Sequence, residues 1–172
     1  MKISFDLDGV IAESERWFFR MLNFQFGVRY QVMPGYQFVC RNTHVERGID
    51  LLRLAELDYY SSRPLKYHPK MFMAANDEGY IVTSRKPWSA EVTEAWLKRY
   101  GIDIPIVYTD HNDSLDWTDY KTASIMAGRL KSATILDMGI DVHFDNNPFI
   151  VDVMRDLTNV RVILVGGETS HL

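Results

Sequence analysis

The sequence predicts an α/β fold in which a parallel sheet of about five strands carries helices on both faces. Short apolar segments at 2–7, 79–83, 104–108, 141–144 and 160–165 are typical of buried strands. Apolar residues at helical spacing occupy most of the sequence between them. Strands that alternate with helices of about 10–15 residues favour parallel pairing, because each helix carries the chain back across the sheet.

The first strand, 2–7, ends in acidic residues and Gly9. The next stretch, 13–73, has aromatic and apolar residues at helical spacing and no convincing strand. We therefore predict a small helical cap inserted after the first strand, and a core domain made of 1–12 and 74–172. An alternative packs the same helices on an edge of the sheet, since a single sequence fixes topology poorly.

Further helices are predicted on either side of the second and third strands. Residues 67–76 are predicted as a helix that leads back to the sheet, and 87–100 as an amphipathic helix that Gly101 ends. Residues 119–136 are mostly helical, with a break near Gly128.

Composition restricts the class of protein. The chain has 172 residues, which fits one domain with or without an insertion, and 47% hydrophobic residues, which suffice for a buried core. A net charge of -4 argues against sequence-independent binding of nucleic acid, which needs a basic surface; a local basic groove stays open as an alternative. The single cysteine, Cys40, cannot form an internal disulfide. The sequence starts without a signal-peptide pattern and has no apolar run of roughly 20 residues, so we expect a soluble cytoplasmic protein without a membrane partner.

Two carboxylates follow the first strand at its carboxyl end, where open α/β sheets bind their ligands. Asp6 and Asp8 would share one face of a regular strand, but Gly9 allows the chain to turn there. One carboxylate can act as a nucleophile, and a second can protonate a leaving group and then activate water. Such a pair also offers oxygen ligands to Mg²⁺. The alternative is a turn that happens to contain aspartates, since Asp and Gly both favour turns.

The segment 6–10, Asp-Leu-Asp-Gly-Val, resembles the first motif of the haloacid dehalogenase superfamily in the form found in its phosphatases. The resemblance covers about 2–12 and 79–165. It implies a Rossmann-like core in which Asp6 is the nucleophile and Asp8 is the general acid/base.

Three polar residues, Thr83, Ser84 and Arg85, directly follow the second strand of the core. Hydroxyl and backbone N–H groups at such a position can face a phosphate oxygen. The superfamily's second motif is a Thr or Ser at the end of this strand, which the resemblance places at Thr83. Ser84 and Arg85 are then candidate substrate contacts, and Arg85 would add positive charge at the phosphate. The alternative is an ordinary polar loop.

Asp145 ends the fourth strand and matches the superfamily's last motif, although the second acid usual there is replaced by Asn146. Asn supplies an oxygen but no charge, so the departure puts the strength of a metal site in doubt. The resemblance implies Mg²⁺ bound by Asp6, by the Asp8 backbone carbonyl and by Asp145. The Asn-Pro pair that follows also predicts a helix over 148–157.

The third motif of the superfamily is a lysine that neutralises the nucleophile and the phosphate, and its spacing varies. Lys131 would lie at the start of a short helix that leads to the strand of Asp145, whereas Lys121 matches the longer spacing of other members. We prefer Lys131. The alternative for either residue is a surface lysine that covers apolar neighbours with its stem.

Taken together, the motifs predict a Mg²⁺-dependent phosphomonoester hydrolase that works through an aspartyl-phosphate. The pattern is most similar to small 5'(3')-deoxyribonucleotidases, so a nucleoside monophosphate is the first substrate to consider. Trp17 of the cap is the preferred substrate contact, followed by Arg16, Phe18 and Tyr36. One alternative is a phosphatase that acts on a nucleic-acid 3' end. Another is a non-catalytic binding module that retains the fold, which the missing second acid favours.

Overall fold

The computed structural model describes residues 1–13, 63–110, 114–115 and 119–166. This part of the chain contains a five-stranded sheet in which every neighbouring pair of strands is parallel. The predicted parallel α/β fold is therefore confirmed. Most of the predicted cap, 14–62, lies outside the described residues.

The strands agree with the predicted segments to within two residues at each end. Their bounds are β1 Lys2–Phe5, β2 Glu78–Thr83, β3 Ile106–Tyr108, β4 Val142–Asp145 and β5 Arg161–Leu164. Across the sheet they follow the order β3-β2-β1-β4-β5. The order changes direction between β1 and β4, so the crevice at the carboxyl ends of these two strands is where an open α/β sheet binds its ligand.

Helices and short turns connect the strands. The helices are α1 Ala90–Arg99, α2 Tyr120–Asp137 and α3 Pro148–Leu157, and 3-10 turns span Pro69–Met71 and Pro87–Ser89. Within the described ranges, no helix is both long enough and apolar enough to cross a membrane.

Hydrophobic clusters lie on the two faces of the sheet. On one face α1 buries Trp96 against a cluster that includes Phe5 and Ile81. On the other face α2 and α3 pack over a cluster that includes Val82 and Met154. Ile81 and Val82 are adjacent on β2 and belong to different clusters, because successive strand residues point to opposite faces. The prediction of helices on both faces is thus confirmed.

The helix predicted for 67–76 is wrong. In place of a helix the chain forms the 3-10 turn Pro69–Met71, which His68 begins by accepting a hydrogen bond from Lys70 N. Phe72 then packs against the core from an irregular segment, with its ring centre 5.0 Å from that of Phe144. The apolar residues here are buried one by one against the sheet, so their spacing does not reflect a helix.

The break predicted near Gly128 is also wrong, because α2 is one continuous helix of 18 residues. A Cβ atom at Gly128 would lie 2.9 Å from Cβ of Val153 on α3. The glycine therefore allows α2 and α3 to approach each other closely, and it does so within a regular helix.

Asn147 caps α3 and ties it to α2. Its Oδ1 accepts hydrogen bonds from Phe149 N at 3.0 Å and Ile150 N at 3.4 Å, and its Nδ2 donates to Ser124 Oγ at 2.9 Å. Replacement of Asn147 by alanine should lower the free energy of unfolding by about 1–2 kcal/mol, because a cap and a buried hydrogen bond are lost together. Urea unfolding followed by circular dichroism measures the change.

The matched comparison is Asp119→Ala at the start of α2. Asp119 is exposed and its Oδ1 accepts a hydrogen bond from Thr122 N at 3.2 Å, so water can replace the lost acceptor. This variant should lose less stability than Asn147→Ala. An equal or larger loss would contradict the assignment of Asn147 as a buried tie between α2 and α3.

Candidate active site

A buried lysine joins two carboxylates at the carboxyl ends of the central strands. Lys131 Nζ lies 2.9 Å from Asp6 Oδ1 and 2.6 Å from Asp145 Oδ2. Asp6 directly follows β1 and Asp145 is the last residue of β4, and these strands are neighbours in the sheet. Parallel pairing therefore brings the two carboxylates to one edge, and α2 places the ammonium between them.

Lys131 lies in the second half of α2, so the predicted position at the start of a short helix is wrong. The difference follows from Gly128, which does not interrupt α2. Lys121 is exposed near the beginning of the same helix, where its Nζ lies 6.0 Å from the ring centre of Phe149. The structure thus brings Lys131, and not Lys121, to the pair of carboxylates.

Burial and charge act differently on the two carboxylates. The pKa of Asp6 is raised to about 6, chiefly by burial and also by the charge of Asp145, while Lys131 acts in the opposite direction. Burial would also raise the pKa of Asp145, but Lys131 and His143 outweigh it and lower that pKa to about 2. Burial lowers the pKa of Lys131, yet the two carboxylates bring it above its ordinary value. Asp145 is therefore the firmly ionised carboxylate, and Lys131 remains its charged partner.

A buried histidine of β4, His143, lies close to Asp145. His143 Nδ1 lies 2.8 Å from Ser4 Oγ, its partner in the register of β1 and β4, and His143 Nε2 lies 3.5 Å from Asp145 Oδ2. Burial lowers the pKa of His143, which keeps the ring neutral. If Ser4 donates to Nδ1, the hydrogen of the neutral ring lies on Nε2, which makes no hydrogen bond within the described residues although it lies near Asp145.

Two buried arginines bind the other carboxylate of the first motif. Arg85 Nε donates to Asp8 Oδ2 at 2.9 Å and Arg85 Nη2 donates to Asp8 Oδ1 at 2.7 Å, which is a bidentate contact. Arg63 Nη1 donates to the same Oδ1. Burial lowers the pKa of Arg63 well below its ordinary value, and the charge of Arg85 lowers it further. The turn after β1 thus gives Asp6 a lysine partner and Asp8 arginine partners.

Gly9 makes this turn possible in two ways. Its φ is 88°, in the region that favours glycine, and a Cβ atom there would lie 1.8 Å from Asn146 Nδ2. Asn146 therefore occupies the space directly beside the loop that carries Asp8. The position where most members of the superfamily have a second acid is here a packing contact of the first motif.

The polar residues at the carboxyl end of β2 lie beside the loop that carries Asp8. Thr83 Oγ1 accepts a hydrogen bond from Arg85 N at 3.2 Å, which leaves the hydroxyl hydrogen for an acceptor such as a phosphate oxygen. Ser84 Oγ lies 3.2 Å from Thr109 Oγ1. Arg85, expected at the substrate, lies on Asp8, and its contact with a phosphate stays a prediction, as does that of Ser84.

Sequence reasoning missed Arg63 and Lys66, because both lie in the stretch assigned to the cap. Lys66 Nζ donates to Gly9 O at 2.8 Å, and Glu13 N donates to Pro64 O at 2.9 Å. The proline after Arg63 is the one signal that a helical stretch ends there. The extent of the cap stays a prediction. Its candidate substrate contacts, Arg16, Trp17, Phe18 and Tyr36, lie outside the described residues.

The donors at this edge of the sheet fit a Mg²⁺ ion. The Asp6 and Asp145 carboxylates share one ammonium, and the charge of Asp145 raises the pKa of Asp6, so a further cation would relieve their repulsion. No group of three or more His, Cys, Asp or Glu side chains suited to a metal ion occurs in the described ranges. Mg²⁺ needs only one or two carboxylates, because water, carbonyl and phosphate oxygens complete its shell.

Comparisons with known proteins agree with this fold. No family model and no curated protein matches the sequence. Among solved structures, a haloacid dehalogenase-like family hydrolase from Streptococcus pneumoniae is 12% identical, with a TM-score of 0.59 over 95% of this chain and 83% of that one. A HAD family hydrolase from Deinococcus radiodurans R1, with bound phosphate and sodium, is 13% identical, with a TM-score of 0.50 over 97% and 92%.

A chain of the Pnkp1/Rnl/Hen1 RNA repair complex is 15% identical with a TM-score of 0.49, and this chain spans only 42% of its length. A likeness of that size carries no functional argument. Identities this low show the fold alone. The described core therefore has the fold of the haloacid dehalogenase superfamily, as the first motif implied. The small nucleotidase-like subtype stays a prediction.

The close approach of Gly9 to Asn146 can be tested with a pair of glycine variants. Gly101 also has a positive φ, of 66°, but a Cβ atom there would meet nothing within 4 Å. Gly101→Ala should therefore cost about 1–2 kcal/mol of stability from backbone strain alone. Gly9→Ala should cost about 1–3 kcal/mol more, because Asn146 must move. Equal losses in urea unfolding would rule out the contact.

Proposed function

We propose that this protein is a Mg²⁺-dependent phosphomonoester hydrolase that works through an aspartyl-phosphate on Asp6. The observation that supports this most strongly is the position of Lys131 between Asp6 and Asp145. A buried ammonium beside a potential nucleophile stabilises the negative charge that a phosphoryl group brings to the site. Such stabilisation is the main contribution of proteins to phosphoryl transfer.

In the first step an Asp6 carboxylate oxygen attacks phosphorus. With a pKa of about 6, Asp6 is mostly ionised at neutral pH and needs no separate base. The bond between phosphorus and the alcohol oxygen breaks, and Asp8 gives a proton to that oxygen. Lys131, which lies beside Asp6, and the Thr83 hydroxyl would contact the remaining phosphoryl oxygens.

In the second step water attacks the phosphorus of the aspartyl-phosphate. Asp8, now ionised, takes a proton from the water, and the bond from phosphorus to Asp6 breaks to release phosphate. The guanidiniums of Arg63 and Arg85 contact the Asp8 carboxylate and would stabilise its negative charge in this step.

The residues that would hold Mg²⁺ are Asp6, Asp145 and, through its backbone carbonyl, Asp8. A bound Mg²⁺ neutralises charge on the phosphoryl oxygens. The backbone N–H of Asn147 donates to Asp145 Oδ1 at 2.8 Å and keeps the Asp145 carboxylate oriented.

The substrate proposed first is a small phosphomonoester such as a nucleoside monophosphate. The resemblance to small nucleotidases supports this substrate, and a net charge of -4 is unfavourable for the binding of long nucleic acids. A phosphatase of nucleic-acid ends and a non-catalytic module remain outcomes of the same assay.

The assay measures phosphate release from nucleoside 5'- and 3'-monophosphates, sugar phosphates and a 3'-phosphorylated oligonucleotide. Asp6→Asn should lower the rate at least about a thousand-fold, because it removes the nucleophile, and a chelator should abolish it. A rate that survives either change would overturn the mechanism. Preference for the oligonucleotide would favour a nucleic-acid substrate, and silence from folded protein with Mg²⁺ would favour the non-catalytic module.

Binding of Mg²⁺ can be measured without any substrate. At roughly 100 times its dissociation constant, Mg²⁺ should raise the melting temperature by about 5–10 °C. Asp145→Asn should remove most of this shift, because it removes a charged ligand. Asp152→Asn changes an exposed aspartate of α3 and should leave the shift intact. A full shift in Asp145→Asn would place the metal elsewhere.

A further inference from the structure

We propose that Thr93 of α1 is a positioning residue for Asp8 and acts through the guanidinium of Arg85. The proposal rests on the acid/base role of Asp8 given above. Thr93 lies on the opposite side of Arg85 from the reacting groups and carries no charge. Its contribution is therefore to the direction of the Asp8 carboxylate.

The contacts of Arg85 define the argument. Its Nη1 donates to Thr93 Oγ1 at 2.9 Å, while Nε and Nη2 donate to Asp8 at 2.9 and 2.7 Å. Each of the three nitrogens of the planar guanidinium thus donates a hydrogen bond. The two bonds to Asp8 fix one edge of the plane, and the bond to Thr93 prevents the plane from swinging about that edge. Thr93 is fully buried, at 0% exposure, so water does not replace its hydroxyl.

The same face of α1 also holds the second arginine. Trp96 Nε1 donates to the backbone oxygen of Arg63 at 2.7 Å, and Tyr100 Oη donates to it at 3.4 Å. Thr93, Trp96 and Tyr100 lie on one side of the helix. One helix face therefore fixes Arg85 by its side chain and Arg63 by its backbone, and both guanidiniums meet on Asp8.

The hydroxyl of Thr93 has a role that packing does not explain. Valine has nearly the same shape and suits a buried apolar environment, so the property that threonine adds is an acceptor for Arg85. Without this acceptor Arg85 loses one of its hydrogen bonds, and the direction of its two bonds to Asp8 is less restricted. Proton transfer from Asp8 to the leaving oxygen then loses its alignment.

The expected signature is a dependence on the leaving group. An alkoxide needs a proton from Asp8 as it departs, whereas 4-nitrophenolate is a weak base that leaves without one. Thr93→Val should lower kcat/KM about 10–100-fold for an alkyl phosphate, and much less for 4-nitrophenyl phosphate. Thr93→Ser retains the hydroxyl and should recover most of the loss. A merely structural role would lower both rates alike.

Thr134→Val is the matched control. Thr134 is also on a helix and its Oγ1 donates to Leu130 O at 3.0 Å, away from the arginines, so both rates should be unchanged. Thr93→Ala provides a second variant that lacks the hydroxyl, should the valine variant fold poorly. Equal loss on the two substrates, or no loss on either, in variants that circular dichroism shows to be folded overturns the proposal.

A second measurement does not depend on catalysis. The ¹H–¹⁵N signal of Arg85 Nε, assigned by its disappearance in Arg85→Lys, reports the bond to Asp8 Oδ2. Thr93→Val should shift this signal or broaden it by exchange with water, and Thr134→Val should not. An unchanged signal overturns the positioning role. If the wild-type protein releases no phosphate but the signal shifts, the proposed function fails and the placement of Arg85 by Thr93 stands.

Discussion

The buried ammonium of Lys131 is the charge on which the site depends. Asp6 and Asp145 are both buried, and a buried carboxylate without a partner costs several kcal/mol. One cation shared between them allows both to remain at the ends of neighbouring strands. The register of β1 and β4 determines how far apart the two carboxylates lie, and α2 determines the position of the ammonium. The close approach of α2 to α3 at Gly128, one turn before the lysine, helps to fix where that charge lies.

The two aspartates of the first motif lie in opposite electrostatic environments. Among the described residues, Asp6 shares the ammonium of Lys131 with a second carboxylate, that of Asp145. Asp8 contacts the guanidiniums of Arg63 and Arg85, so positive charge is in excess there. The proposed function uses this difference, with a metal cation bound beside Asp6 and a phosphate anion near the two arginines. The short turn at Gly9 therefore separates two carboxylates whose surroundings differ in charge.

The sequence allowed prediction of those parts of the molecule that depend on local patterns. Asp6 and Asp145 follow buried apolar strands, where a carboxylate has little structural reason to be, so both could be found. Arg63 and Thr93 could not, because an arginine before a proline and a threonine in an amphipathic helix are ordinary locally. Their contacts form only when the fold brings Arg63 to Asp8 and α1 to the loop that carries Arg85. The spacing of the motif favours Lys131 over Lys121, but it does not predict that Lys131 lies in a continuous α2, because the central glycine indicates a break.

The described residues on either side of 14–62 lie next to each other, because Glu13 N donates a hydrogen bond to Pro64 O. An inserted stretch whose entry and exit lie side by side can change in length or sequence without moving the strands beside it. The residue that directly follows this stretch, however, is Arg63, which binds Asp8. Evolution or design could therefore replace residues 14–62 by another sequence, provided that Arg63 keeps its positive charge.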